Sequence, residues 1–156
     1  MVAGPTEAAV GTAPVDPDAA RARLAVGQSA LVAALVAGGA DPAGFDPGAM
    51  EATRRALVDK RRAGVARRWP TLAAEPEFGV RFQAWAAGRP PAGAYADGVA
   101  FGQANRDELS EGARVEVLRA RCVRRRLAVL VDRAAGGTLL AVRAPGLGTL
   151  ILGAPR

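Results

Sequence analysis

Three of the four acid–proline pairs in the first half of this chain, Asp16–Pro17, Asp46–Pro47 and Glu75–Pro76, open segments that each begin as a helix. The carboxylate caps free backbone N–H groups, while proline, with φ fixed near the helical value and no N–H to lose, is tolerated in the first turn. The first segment carries Ala20, Leu24, Gln28, Leu31 and Leu35 on one stripe and runs into Gly38 and Gly39, so a helix is expected over about residues 17–37. The second, over 47–68, ends at Trp69, because Pro70 pushes the residue before it out of the helical region. The third is short. Phe78, Phe82 and Trp85 fall at i, i+4 and i+7 on one face, and "GRPP" at 88–91 stops it.

A fourth helix is expected over residues 93–105 and a fifth from Ser110, a reasonable N-cap, towards Arg121. "ARVEVLRARCV" also alternates at Val115 and Val117, so periodicity leaves helix and strand open for residues 111–121. After residue 124 the pattern changes. "LAVLVD", "TLLAVR" and "TLILG" are short aliphatic runs joined by glycine-containing connections of hairpin length, which reads as a three-stranded antiparallel meander. The fold class is therefore α+β: an N-terminal bundle of four to five helices followed by a small three-stranded antiparallel sheet. Residues 1–15 read as a disordered tail, 16–121 as the helical domain and 122–156 as a β domain packed on the helices. Six of the seven aromatics lie between Trp69 and Phe101, which places the main nucleus there and makes it the expected bed for the sheet.

Catalytic equipment is sparse. With no histidine, the commonest general base, the usual nucleophile triads and imidazole metal ligands are absent. The single cysteine, Cys122, excludes an internal disulfide and every multi-cysteine metal framework, and a lone thiol suits a reducing, cytoplasmic setting. Arg121, Arg124, Arg125 and Arg126 surround it in sequence, but no histidine stands ready as its base. The carboxylates are scattered as caps and helix-surface charges. "AGGADPAG" and "APGLGTL" lack the phosphate-loop arrangement and read as turns. The expectation is a non-enzyme without metal or cofactor. The opening "MVAGPTEAAVGTAPVDPD" lacks the apolar run of a secretory signal, and no stretch of about 18 uncharged apolar residues, the length of a membrane span, follows.

The formal net charge of +6 makes an acidic partner electrostatically plausible. All basic residues but Lys60 are arginine, which with the abundant alanine and glycine looks partly like GC-rich coding. In "RRALVDKRRAGVARRWP", residues 54–70, helical spacing puts Arg54, Arg61 and Arg68 on one stripe, Arg55 and Arg62 on a second, and Lys60 and Arg67 opposite. That makes a collar, not a face, and Glu51 and Asp59 stand where they neutralise part of it. A second basic run, Arg124, Arg125 and Arg126, leads into the first strand. Charges there either discourage strand pairing or greet an acidic peptide that adds itself as a fourth strand. Phe78, Phe82 and Trp85 share a face and so read as core, not as base-stacking platforms.

The stretch from "FDPGAMEATRRALVDKRRAGVARRWP" to "VRFQAWAAGRPPAGAYADG" resembles a family of small actinobacterial proteins, in which a helix ends in "WP" and continues to an "RFxAWAxGRPP" motif before a short β-rich tail. The resemblance spans about residues 30–101, with Trp69, Pro70, Phe82, Trp85, Arg89, Pro90 and Pro91 as its markers, and brings no catalytic residue with it. It implies a companion of a multinuclear non-haem iron enzyme that modifies ribosomally made peptides. From the residues and the resemblance together, the first expectation is a non-catalytic adaptor. It would bind a protein or acidic peptide through Arg124, Arg125, Arg126 and the backbone of Thr149, Leu150, Ile151 and Leu152. The alternative is a nucleic-acid-binding protein that sets Arg54, Arg61, Arg62, Arg67 and Arg68 on phosphates.

Overall fold

α1 (Pro17–Val36) and α2 (Pro47–Arg68) begin where two of the acid–proline pairs lie. Asp16 Oδ1 accepts from Asp18 N at 3.0 Å, and Asp46 Oδ2 from Ala49 N at 2.7 Å. The computed structural model describes residues 16–154, so the expected disordered tail lies outside the described residues. α1 stops at Ala37, followed by Gly38 in the left-handed region at φ 71°, which a side chain would strain.

The third pair behaves differently. Glu75 caps no helix of its own; its carboxylate instead accepts from Ser110 N at 3.1 Å and from the Ser110 hydroxyl, 35 residues away. A four-residue helix, α3 (Pro70–Ala73), intervenes unforeseen, with Glu116 Oε2 accepting from Leu72 N at 2.8 Å. The aromatic helix α4 (Phe78–Ala86) then starts after Glu77, a left-handed non-glycine residue at φ 57°. α5 (Ala94–Ala104) and a 3₁₀ turn (Arg106–Glu108) follow. Residues 111–121 fall within a helix, α6 (Glu111–Val123), whose N-cap Ser110 accepts from Ala113 N at 3.3 Å.

Val65, Trp69, Leu72, Phe78, Phe82, Phe101 and Val117 form the principal core. Phe82 is wholly buried and stacks at 5.4 Å from both Trp85 and Phe101. α5 approaches closely because it presents glycines. A Cβ on Gly98 would lie 2.1 Å from Trp69 Nε1, and one on Gly102 2.5 Å from Val117.

The sheet is an antiparallel meander, β1 (Ala128–Ala134), β2 (Gly137–Ala144) and β3 (Gly148–Ala154), with β2 central. It does not rest on the aromatic cluster, as the sequence led one to expect. α6 separates the two. Ala113 and Val117 face the aromatic core, while Leu118 and Cys122 join Ala128, Leu139 and Ala141 in a second, smaller cluster. Buried Arg114 fastens the β1–β2 hairpin to α6, donating to Asp132 Oδ2 and to the Gly137 carbonyl, each at 2.8 Å.

α1 is set apart by its exposure. Residues 21–30 are all exposed, Ala34 alone is buried, and attachment comes from the last turns, where Arg54 Nε donates to the Ala34 carbonyl at 3.0 Å. Among the described residues, α1 is the one helix long and apolar enough to cross a membrane by length and composition alone.

Candidate functional site

The sheet packs one face on α6 and displays the aliphatic side chains of the other. In β1, Ala128, Leu130, Asp132 and Ala134 turn towards α6, so Val129, Val131 and Arg133 turn away. Pairing of Val129 with Val142 and Leu150, and of Val131 with Leu140 and Leu152, puts six aliphatic side chains on the outer face. Val129 is 69 % and Leu150 59 % exposed. An antiparallel sheet with one solvated face ordinarily alternates apolar-in with polar-out, and a contiguous apolar surface rimmed by charge marks an interaction site. Leu127 and Leu147, both exposed, extend the apolar character beyond the strands.

The structure brings together part of the partner site expected from sequence. Arg143 Nε donates to the Arg125 carbonyl and Nη1 to Thr149 Oγ1, both at 2.9 Å, which ties the α6–β1 connection to the start of β3. Arg126 shares a shallow surface pocket with Arg143, Pro145, Gly146 and Gly148. Arg124 turns the other way, with its guanidinium 4.4 Å from the centre of the Tyr95 ring. Within β3, Leu150 and Leu152 point outward and Ile151 packs inward against the α6 cluster. Among the described residues β3 pairs only with β2, so its second edge is open.

The collar on α2 is largely explained by internal partners. Arg61, 11 % exposed, donates from Nε and Nη2 to the two oxygens of fully buried Asp97 at 2.7 and 2.8 Å, and from Nη1 to the Arg89 carbonyl at 2.7 Å. Arg54 pairs with Asp41 and, at 3.5 Å, with Glu51. Neither is available to a phosphate without breaking these contacts. Arg62 lies 3.4 Å from Asp59, leaving Arg67 and Arg68 exposed, the latter 5.8 Å from the Tyr95 ring centre. The "RFxAWAxGRPP" residues are scaffold: Phe82 and Trp85 pack in the core, and the Arg89 and Pro90 carbonyls receive Arg61.

Sequence reasoning missed a groove of about 660 Å³ between the end of α1, one side of α2 and the α4–α5 loop. Leu35, Val36, Leu57, Val58, Ala86 and Ala94 give it apolar walls. Its third wall comes from the α4–α5 loop, which no local pattern places beside α1 and α2.

Among the described residues no three of His, Cys, Asp and Glu gather into a metal-binding group, and the Cys122 thiol is buried. Fold and surfaces thus define a helix-first α+β protein with exposed apolar faces. The chain belongs to the SCO6045-like family, whose C-terminal domain model matches residues 25–107, a range that ends before α6 and the sheet. It is also 44 % identical over 91 residues to a UPF0276 protein of Streptomyces avermitilis, an alignment that takes in 56 % of this chain and 18 % of the relative. The chain therefore corresponds to less than a fifth of that relative's length. No solved structure matches it.

Proposed function

We propose that this chain is a non-catalytic cytoplasmic adaptor that binds another protein or an acidic peptide through its C-terminal sheet. The observation that carries the reading is the outer face, where Val129, Val131, Leu140, Val142, Leu150 and Leu152 stand opposite an inner face whose apolar side chains, Leu130, Leu139, Ala141 and Ile151, are already packed on α6. Exposing that much aliphatic surface is unfavourable unless a partner covers it. An extended peptide added to the open edge of β3 would gain backbone hydrogen bonds and continue the apolar face with alternate side chains. The Arg126 and Arg143 end of the sheet would favour acidic residues at one terminus of that peptide. The family resemblance supplies the partner's identity in this proposal, a multinuclear non-haem iron enzyme to which the chain presents a peptide substrate. The occurrence of a matching segment within a much longer Streptomyces protein supports a domain that works beside a larger one.

Affinity capture from native lysate, split into nuclease-treated and untreated halves, tests the reading. The adaptor account expects one protein at near-equal stoichiometry in both. A catch that nuclease empties, with binding that collapses between about 50 and 200 mM salt, would instead establish the nucleic-acid alternative through Arg62, Arg67 and Arg68.

A further inference from the structure

The groove beside α2 continues onto the bare part of α1. Leu35 lines it, and by helical spacing Leu24 and Leu31 lie on the same stripe, which lengthens the apolar wall to roughly 16 Å, about three helical turns. Leu24 is 61 % exposed. Such a helix is marginal by itself, because most helical stability in proteins comes from packing an apolar face. The rim is cationic. Arg55, Lys60 and Arg89 border the groove, and none of the ion pairs among the described residues includes Lys60 or Arg89. Of the lining acids, Asp97 is consumed by Arg61, and Glu51 lies between Arg54 and Arg55 at 3.5 and 3.7 Å.

We propose that the groove and the α1 stripe form a second docking site, which takes an amphipathic helix of a partner protein, apolar on the buried face and acidic along its flanks. The shape fits because small residues, Gly64, Ala86, Ala87 and Ala94, leave room for side chains of a third helix laid between α1 and α2. The charge fits because Lys60 and the terminal nitrogens of Arg89, whose Nε donates to the Trp85 carbonyl at 2.6 Å, meet carboxylates instead of water. The site rests on the reading of the chain as a protein-binding adaptor but uses none of the sheet, so the two fail separately.

The test uses the full chain and a fluorescein-labelled peptide of about 18 residues, five turns, with leucines on one helical face and glutamates elsewhere. A twin carries lysine for glutamate. Anisotropy titration should show saturable binding of the acidic peptide and at least about tenfold weaker binding of the twin. The Lys60→Glu/Arg89→Glu protein should lose about tenfold for the acidic peptide, while Leu150→Arg, on the sheet, should leave it unchanged. Equal affinity for both peptides, binding undiminished by the charge reversal, or no saturable binding would overturn the assignment. So would co-sedimentation with phosphatidylglycerol vesicles that Leu24→Glu abolishes, since α1 would then serve a lipid surface.

Discussion

Replacing Asp97 with alanine should be among the most damaging single changes in the helical part. Asp97 is 1 % exposed and accepts from Arg61 Nε at 2.7 Å, Arg61 Nη2 at 2.8 Å and Ala92 N at 3.1 Å. Removing one member of a buried pair leaves the other charged and desolvated, at a cost of about 3–5 kcal/mol. Arg61 keeps its bonds to the Arg89 and Pro90 carbonyls, and its guanidinium is not wholly buried, so the lower end, about 3 kcal/mol, applies. With a urea m-value of roughly 2 kcal/mol/M, the unfolding midpoint should fall by about 1.5 M at unchanged slope. The paired replacement Arg61→Met/Asp97→Leu should recover most of the loss, because it removes the stranded charge. If Asp97→Ala stays within about 1 kcal/mol of the native chain, the pair contributes little. The argument that Arg61 is scaffold and not a phosphate contact then fails with it.

Other perturbations separate the two cores. Phe82→Ala should cost about 3–5 kcal/mol in urea unfolding, as for a buried aromatic whose cavity cannot collapse. Gly98→Ala drives a methyl into the Trp69 indole and should cost about 1–3 kcal/mol, with a shift in tryptophan emission that Gly27→Ala, in open space on α1, does not show. Arg114→Leu strands the Asp132 carboxylate, so the β1–β2 amides should exchange hydrogen faster while those of α4 and α5 keep their protection.

Local chemistry was legible in the chain wherever its partner lay nearby. Asp16 and Asp46 announced α1 and α2 because a cap bonds within its own first turn. Glu75 misled for the opposite reason: its acceptor is spent on Ser110, and the cap-like role at α3 falls to Glu116, 44 residues beyond Leu72. The arginine collar is a similar case. Helical spacing showed that the charges encircle α2, but the reason, Asp97, lies 36 residues from Arg61 and only the fold joins them. In the sheet, both alternating sets are apolar, so "LAVLVD" fixed the strand without saying which side would be covered. The answer depends on α6, which packs against the set holding Ala128, Leu130, Leu139, Ala141 and Ile151 and leaves the other set outside.

The central claim, that the outer face of the sheet and not the Arg67 and Arg68 end of α2 is the partner-binding surface, is tested most directly by one capture experiment with three baits. These are the native chain, Val129→Arg/Leu150→Arg on the sheet, and Arg67→Glu/Arg68→Glu on α2, each exposed and each applied to the same nuclease-treated lysate. The account predicts that the stoichiometric protein held by the native chain is lost from the sheet variant and kept by the α2 variant. Retention by the sheet variant with loss from the α2 variant would contradict it and move the function to the basic helix.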